Sequence, residues 1–333
     1  MLPDCGHPLT SPIEPGHPLA GKVVHIPRMA EGSAETFASV FRWFGVEAQP
    51  TPRSNERTME LGARYTSGDE CFPAKVTVGD FLRILEDPST IASRTAFFMP
   101  TAEGPCRFGQ YAPFLQKILK QAGYDDVRII SPTSRNAYTD LGSLANRFMR
   151  LAWRALVCAD ILRKALLKTR PYETTPGASD RTYDECLQDV CETIESSCGD
   201  MRCQLRSLTV CMTRCRDRFR RIPARYDRNV PLIGVVGEIF CRLNIFSNED
   251  LVRKLESYEA EAWLSDIMEW IAYTNSEQVR KLRLVRRNWS LDMGKSLLRR
   301  SIQALAEGRD PGDLTTIEDL SALEQIRSAL SGK

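Results

Sequence analysis

The chain has 333 residues, 42% of them apolar and 26% charged, with 45 Lys and Arg against 43 Asp and Glu. A net charge of only +2 gives no general nucleic-acid footprint. No apolar run approaches the roughly 20 residues of a membrane helix, and "MLPDCGHPLTSPIEPGHPLAG" has neither the basic nor the apolar segment of a secretory signal.

Residues 1–21, rich in Pro and Gly, are expected to form an irregular arm. "KVVHIPRM" (22–29) is a short strand pattern, and "SAETFASVFRWFG" (33–45) is a helix with Ser33 as its expected N-cap and Gly45 as its stop. "VEAQ" resumes as a strand, "SNERTMELGARY" is helical and "TAFFMP" (95–100) is a buried strand. "YAPFLQKILKQAG" (111–123) is a helix with a Gly stop, and "VRIISP" is another strand. Strands alternating with helices predict a parallel sheet covered on both faces, with ligands beyond the carboxyl ends of its strands.

From about 139 the pattern turns helical. A long stretch is broken at "PYETTPGASD", and a second runs from Arg181 to about Arg221. "NVPLIGVVGEIF" (229–240) reads as a buried strand ending in a turn, "NEDLVRKLESYE" as a helix capped by Ser247 or Asn248, and "EAWLSDIMEWI" as a short strand leading into a helix. After Asn275 the chain reads as helical to about Glu307 and again from Ile317. The expected fold is α/β, with two Rossmann-like units joined by a helical segment. Its parts are a first α/β domain at 22–138, helices at 139–228 and a second, incomplete α/β domain at 229–333 with a helical C-terminus.

Eleven cysteines is a high count, while the three histidines, His7, His17 and His25, all lie near the N-terminus. Without a secretory signal, clustered cysteines point to metal or redox chemistry rather than to disulfides. Two share a setting. Cys71 lies in "YTSGDECFPAK" and Cys106 in "EGPCRFGQY", each beside Pro and Gly in a turn at the same expected sheet edge. Thiolates on such loops suit an iron–sulfur cluster better than a hydrolytic site, and turn amides form nests that stabilise anions.

"PRMAEGSAETFASVFRWFGVEAQ", "ELGARYTSGDECFPAKVTVGDFL", "AFFMPTAEGPCRFGQYAPFLQKIL", "RPYE" and "PLIGVVGEIFCRLNIFSNEDLVRKLE" resemble the activase-related proteins of the 2-hydroxyacyl-CoA dehydratase superfamily, over about residues 22–275. The resemblance implies tandem Rossmann-like domains around a cysteine-held 4Fe–4S cluster, or a larger double-cubane cluster. It also implies low-potential electrons from an ATP-dependent activase, and either a second dehydratase-like subunit or a homodimer. By motif match, Cys71 and Cys106 are the ligands carried over. Relatives continue into a segment with a further ligand in a Cys-Met-Pro context, which this sequence lacks.

Cys241, in "GEIFCRLN", follows the second unit's strand and is the expected third thiolate. With iron–sulfur bonds of about 2.3 Å, the ligand sulfurs would lie roughly 6–7 Å apart. Arg107 and Arg242 each follow a candidate ligand and would bind the cofactor by balancing its charge or hydrogen-bonding to a sulfide, or else serve as structural ion-pair residues. Glu238 is placed to exchange a proton.

In the helical middle, the pairs Cys191/Cys198 and Cys211/Cys215 each fit one helix face, as core positions, or else as an additional metal site or redox thiols. Two Arg-rich stretches, 201–228 and 279–300, read as solvated helix faces or docking surfaces. "GVVGEIF" lacks dinucleotide-binding spacing and no Walker A pattern occurs, so ATP hydrolysis falls to a partner. The expectation is a cytoplasmic electron-accepting protein of reductive or radical dehydration, with no nucleic-acid or membrane partner. The alternative is a non-catalytic scaffold that keeps the fold without a complete cluster site.

Overall fold

The computed structural model describes residues 16–101, 106–132, 145–196, 200–226 and 229–284. The chain divides into two compact units, Met1–Leu264 and Ser265–Lys333. In the second unit the described part is the helix α10 (Ile267–Leu284). The fold is mixed α/β. Four parallel strands, β1 (Val23–Ile26), β2 (Glu47–Pro50), β3 (Thr95–Phe98) and β4 (Arg128–Ile130), form a sheet in the order β2-β1-β3-β4. The order reverses between β1 and β3, and a sheet of this kind opens a crevice there, at its carboxyl edge.

β3 shows why both faces must be covered. Its four residues are all buried, and successive side chains point to opposite faces. Phe98 meets Phe37 and Phe41 of α1 (Ser33–Trp43), with ring centroids 4.9 and 5.7 Å apart. Phe97 stacks on Phe81 of α3 (Phe72–Glu86) at 4.2 Å. That second face belongs to a core built from α2 (Glu56–Tyr65), α3 and α4 (Tyr111–Gln121), centred on Leu61, Phe81, Leu115 and Ile118.

α2 and α3 approach closely because both carry glycine at the contact. A Cβ on Gly79 would meet the Thr58 carbonyl at 1.9 Å, and one on Gly62 would meet the Lys75 carbonyl at 2.2 Å. This contact positions α3, whose N-cap is Cys71.

The helical layer comprises α5 (Ala145–Thr169), α6 (Ala178–Glu195) and α7 (Met201–Arg220). The stretch expected as one helical run from Arg181 is thus two helices. α6 starts earlier, at Ala178, because the Glu173 carboxylate accepts from the amides of Gly177 and Ser179, each at 2.7 Å. α7 starts under its own cap, Asp200, which accepts from the Cys203 amide at 2.9 Å. The N-cap of α1 also differs from the sequence reading. It is Gly32, not Ser33, because the Glu35 carboxylate reaches back to the Gly32 amide at 2.8 Å.

A second pair of parallel strands, β5 (Leu232–Val235) and β6 (Glu261–Leu264), encloses α8 (Ile239–Leu243) and α9 (Leu251–Ser257). β5 is not the buried strand its apolar sequence predicts. Leu232 is 61% exposed and the following Val236 83%, because a two-stranded pair does not cover both faces of its inner strand. The N-cap of α9 is Asp250 rather than Ser247 or Asn248, although the Asn248 side chain accepts from the Leu251 amide at 3.2 Å.

"RPYE" is the joint between this module and the helices. Arg170, with its side chain only 9% exposed, forks onto both oxygens of Glu256 at 2.8 and 2.9 Å and reaches Asp180 at 2.9 Å. The Tyr172 hydroxyl donates to Glu261 at 2.6 Å. Across the module, the Asn244 side-chain amide donates to the Arg28 carbonyl at 3.0 Å.

His25 lies in the middle of β1, buried edge-on against Phe97, and its Nδ1 finds no hydrogen-bond partner among the described residues. Burial pushes its pKa down to about 4. The folded state therefore holds His25 neutral while the unfolded chain protonates it near the ordinary value of about 6.5. Stability from this group is complete above that pH and is lost as pH falls toward 4, by about 3 kcal/mol in all. Urea unfolding between pH 7 and pH 4 should show this loss. In His25→Leu the slope over that window should fall by up to one proton, and an unchanged slope would contradict the assignment.

Candidate functional site

Each candidate thiol stands at the start of a helical segment. Cys71 is the N-cap of α3, with Pro73 in the first turn. The turn before it is held by Glu70, whose carboxylate accepts from the amides of Ser67 and Gly68 at 2.9 and 3.1 Å. α3 leads back into β3, so its N-terminus lies at the carboxyl edge of the sheet. Cys106 follows β3 and is the exposed N-cap of the 3-10 turn Arg107–Gln110, which runs directly into α4. Cys241 follows β5 and lies in the first turn of α8, where its amide donates to the capping Glu238 carboxylate at 2.8 Å.

Tyr111, the first residue of α4, ties these parts together. Its hydroxyl lies 2.6 Å from the Cys71 sulfur. Phe108 braces its ring edge-on at 5.2 Å. Burial, then the hydrogen bond and charge of Cys71, then the charges of Glu238 and Cys106 all push the phenol pKa up. Tyr111 thus remains protonated and is the donor to Cys71 whenever that sulfur is a thiolate. Cys241 is pushed up to about 11 by burial, then by Glu238, and further by the Cys71 charge. Cys71, Cys106, Cys241, Tyr111 and Glu238 therefore share one electrostatic neighbourhood, assembled from β3, α3, α4 and the turn after β5.

The two arginines act on backbone. Arg107 donates to the Asp69 carbonyl at 2.5 Å, tying the Cys106 turn to the Cys71 turn. Arg242 donates to the Gly237 carbonyl at 2.5 Å. This closes a turn that depends on glycine, since Gly237 has φ +133°. Both guanidiniums hold candidate ligand loops in place. Tyr111 was not singled out in the sequence, although it is the last letter of "GPCRFGQY" and the first of the helix.

Of the remaining cysteines, Cys191 is pushed up to about 11, first by burial. Its expected companion Cys198 lies outside the described residues. Cys211 and Cys215 share a buried face of α7 with Cys186 of α6 opposite. Cys203 is disulfide-bonded, which departs from the expectation of thiols alone. Most of the second Arg-rich stretch, with its expected helices, lies outside the described residues.

Among the described residues no group of three or more His, Cys, Asp or Glu is placed to hold a metal ion. A four-iron cluster spreads its thiolates over separate irons, with sulfurs roughly 6–7 Å apart. A donor set of three thiols beside a phenol donor fits such a group chemically. No helix among the described residues is long and apolar enough to cross a membrane.

No family model matches the chain, and no solved structure matches it. A stretch of 34 residues is 68% identical to propionate–CoA ligase of Salmonella typhimurium and of Escherichia coli. It covers 10% of this chain and 5% of each ligase, so the likeness is confined to a fragment of those proteins.

The Cys241 environment has a direct chemical consequence. A thiol pushed from the ordinary value to about 11 holds on the order of a hundredfold less thiolate at pH 8. In metal-free protein, Cys241 should therefore alkylate with iodoacetamide far more slowly than exposed Cys106. Glu238→Gln removes the neighbouring charge but keeps the capping oxygen, and should accelerate Cys241 several-fold. Equal rates at Cys106 and Cys241 in the parent protein would contradict this geometry.

Proposed function

We propose that this chain is an iron–sulfur protein related to the 2-hydroxyacyl-CoA dehydratases, with Cys71, Cys106 and Cys241 as its thiolate ligands. On this reading the four-stranded sheet and the β5–β6 pair are the remains of two Rossmann-like units with the site between their carboxyl edges. The observation that carries the proposal is the Tyr111 hydroxyl 2.6 Å from the Cys71 sulfur, with the charge of Cys106 reaching that phenol and the charge of Cys71 reaching Cys241. The sequence resemblance supplies the setting, a cytoplasmic protein that receives low-potential electrons from an ATP-dependent activase and works as a homodimer or beside a second dehydratase-like subunit.

A bound 4Fe–4S cluster would supply one-electron transfer and an iron open to a substrate oxygen, for reductive or radical dehydration. The chain's own residues have separate tasks. Tyr111 donates to the Cys71 sulfur and withdraws charge from it, a contact that tunes a cluster. Arg107 and Arg242 fix the ligand loops and bring positive charge to an anionic group. Glu238 stands beside Cys241 and Tyr111 as a carboxylate able to take up a proton.

A second reading, a partner-binding scaffold without a complete cluster, draws support from the exposed apolar residues Leu232 and Val236. Iron and sulfide analysis after anaerobic purification separates the two. The cluster reading expects iron and sulfide in the parent protein. Cys71→Ser and Cys106→Ser should each lose most of the visible cluster absorbance while the helical circular dichroism stays intact, because the core folds by apolar burial. Full iron and sulfide in both variants would overturn the ligand assignment, and none in the parent protein would favour the scaffold.

A further inference from the structure

Away from this site, α6 and α7 bury a cluster of thiols that the proposed function does not use. Cys186, Cys211 and Cys215 are each fully buried. The Cys215 sulfur lies 3.9 Å from the Cys186 carbonyl oxygen, and the thiols of Cys186 and Cys211 are near enough to push its pKa up. Cys158 of α5 is close enough to feel the charge of Cys211. Thiols packed this closely can react sulfur with sulfur.

Two pairings compete. Cys211 and Cys215 are four residues apart on one helix, where both Cα–Cβ bonds tilt the same way toward the helix N-terminus. Their sulfurs run side by side, and a disulfide there would distort the helix. Cys186 and Cys215 face each other across the α6–α7 contact, so a bond between them needs only a local adjustment. We propose that Cys186 and Cys215 form a reversible disulfide, a redox modification site that staples α6 to α7. The inference stands apart from the iron–sulfur reading.

The oxidant is a hydroperoxide, small enough to enter when the helices part briefly. The Cys186 thiolate attacks a peroxide oxygen and the O–O bond breaks. The departing hydroxide takes a proton to leave as water, and Cys186 becomes a sulfenic acid. The Cys215 sulfur then attacks the Cys186 sulfur, the S–O bond breaks, and hydroxide leaves with the Cys215 proton as a second water. Two thiols lose two electrons in all and one hydrogen peroxide becomes two waters. The roles follow from the cluster. Cys215 holds Cys186 below the ordinary thiol range against the opposing effect of burial, and pushes Cys211 down to about 6 as well; the pairing across the two helices, not acidity, selects Cys186. Cys215 itself is pushed up, first by its bonds to Cys186 and Cys211. Cys203, also in α7, is already disulfide-bonded.

The test is peptide mapping of the intact protein. It is treated with hydrogen peroxide, its remaining thiols are blocked with N-ethylmaleimide during unfolding, and it is digested with trypsin without reduction. Trypsin cuts after Arg214 and Arg216, so Cys215 leaves in a different fragment from Cys211. The expected product joins the Cys215 fragment to the peptide carrying Cys186, with fragmentation placing the bond at Cys186. Its mass is lower by two hydrogens, and dithiothreitol reverses the link. The stapled form should melt higher, by a shift on the order of several degrees. Cys211→Ala should keep the link. A Cys215 bond to Cys211, Cys191 or Cys198, or full maleimide labelling of Cys186 and Cys215 after peroxide, would overturn the proposal. The parent map decides without any variant having to fold.

Discussion

The Arg170 guanidinium holds the architecture of the site. It is buried at the start of the "RPYE" joint, forks onto Glu256 at the end of α9, and shares Asp180 with Arg253 at the start of α6. A two-stranded module such as β5–β6 is marginal alone. Here it is fastened by this fork, by the Tyr172–Glu261 hydrogen bond and by Asn244 on the Arg28 carbonyl. Removing one partner of a buried pair costs about 3–5 kcal/mol, because the other charge stays uncompensated. The module carries Glu238 and Cys241, so the fork that anchors it also determines whether a third thiol stands near Cys71.

Below that anchor, the site follows from a general property of parallel sheets. Strands deliver their carboxyl ends, and helices their N-termini, to one edge. Cys71, Cys106 and Cys241 all occupy first turns or caps at such ends. The N-terminal end of a helix carries partial positive charge, which favours thiolates. Burial works against that, most plainly at Cys241, where the Glu238 carboxylate adds to the opposition. Tyr111 contributes a proton donor that stays protonated throughout.

Much of the first α/β region was legible because its signals are local. The β1, β3 and β4 segments are short, mainly apolar runs between periodic helices, and Gly45 and Gly123 both adopt positive φ where helix stops were expected. The sequence misled where tertiary context decides. Ser33 has the chemistry of a cap, but Glu35 bonds to the amide one residue earlier. "PLIGVV" has the composition of a core strand, but its only described partner strand is β6. The candidate ligands were visible from their Pro and Gly setting. Tyr111 was not, because a tyrosine opening an amphipathic helix carries no distinctive pattern until its hydroxyl is seen against Cys71. "RPYE" was recognised as a shared segment, yet its structural reason, one buried fork and two caps, depends on residues up to 89 positions away.

On the proposed function, Cys71 at the start of α3 and Cys106 and Cys241 after β3 and β5 bind one iron–sulfur group. Diffraction from anaerobically prepared crystals, recorded on either side of the iron absorption edge, tests it most directly by locating iron against the named sulfurs. The account predicts anomalous peaks within about 2.3 Å of the sulfurs of Cys71, Cys106 and Cys241, with the Tyr111 hydroxyl beside the Cys71 ligand. Iron bound elsewhere, or an anaerobic crystal with no iron peak at these cysteines, would contradict it.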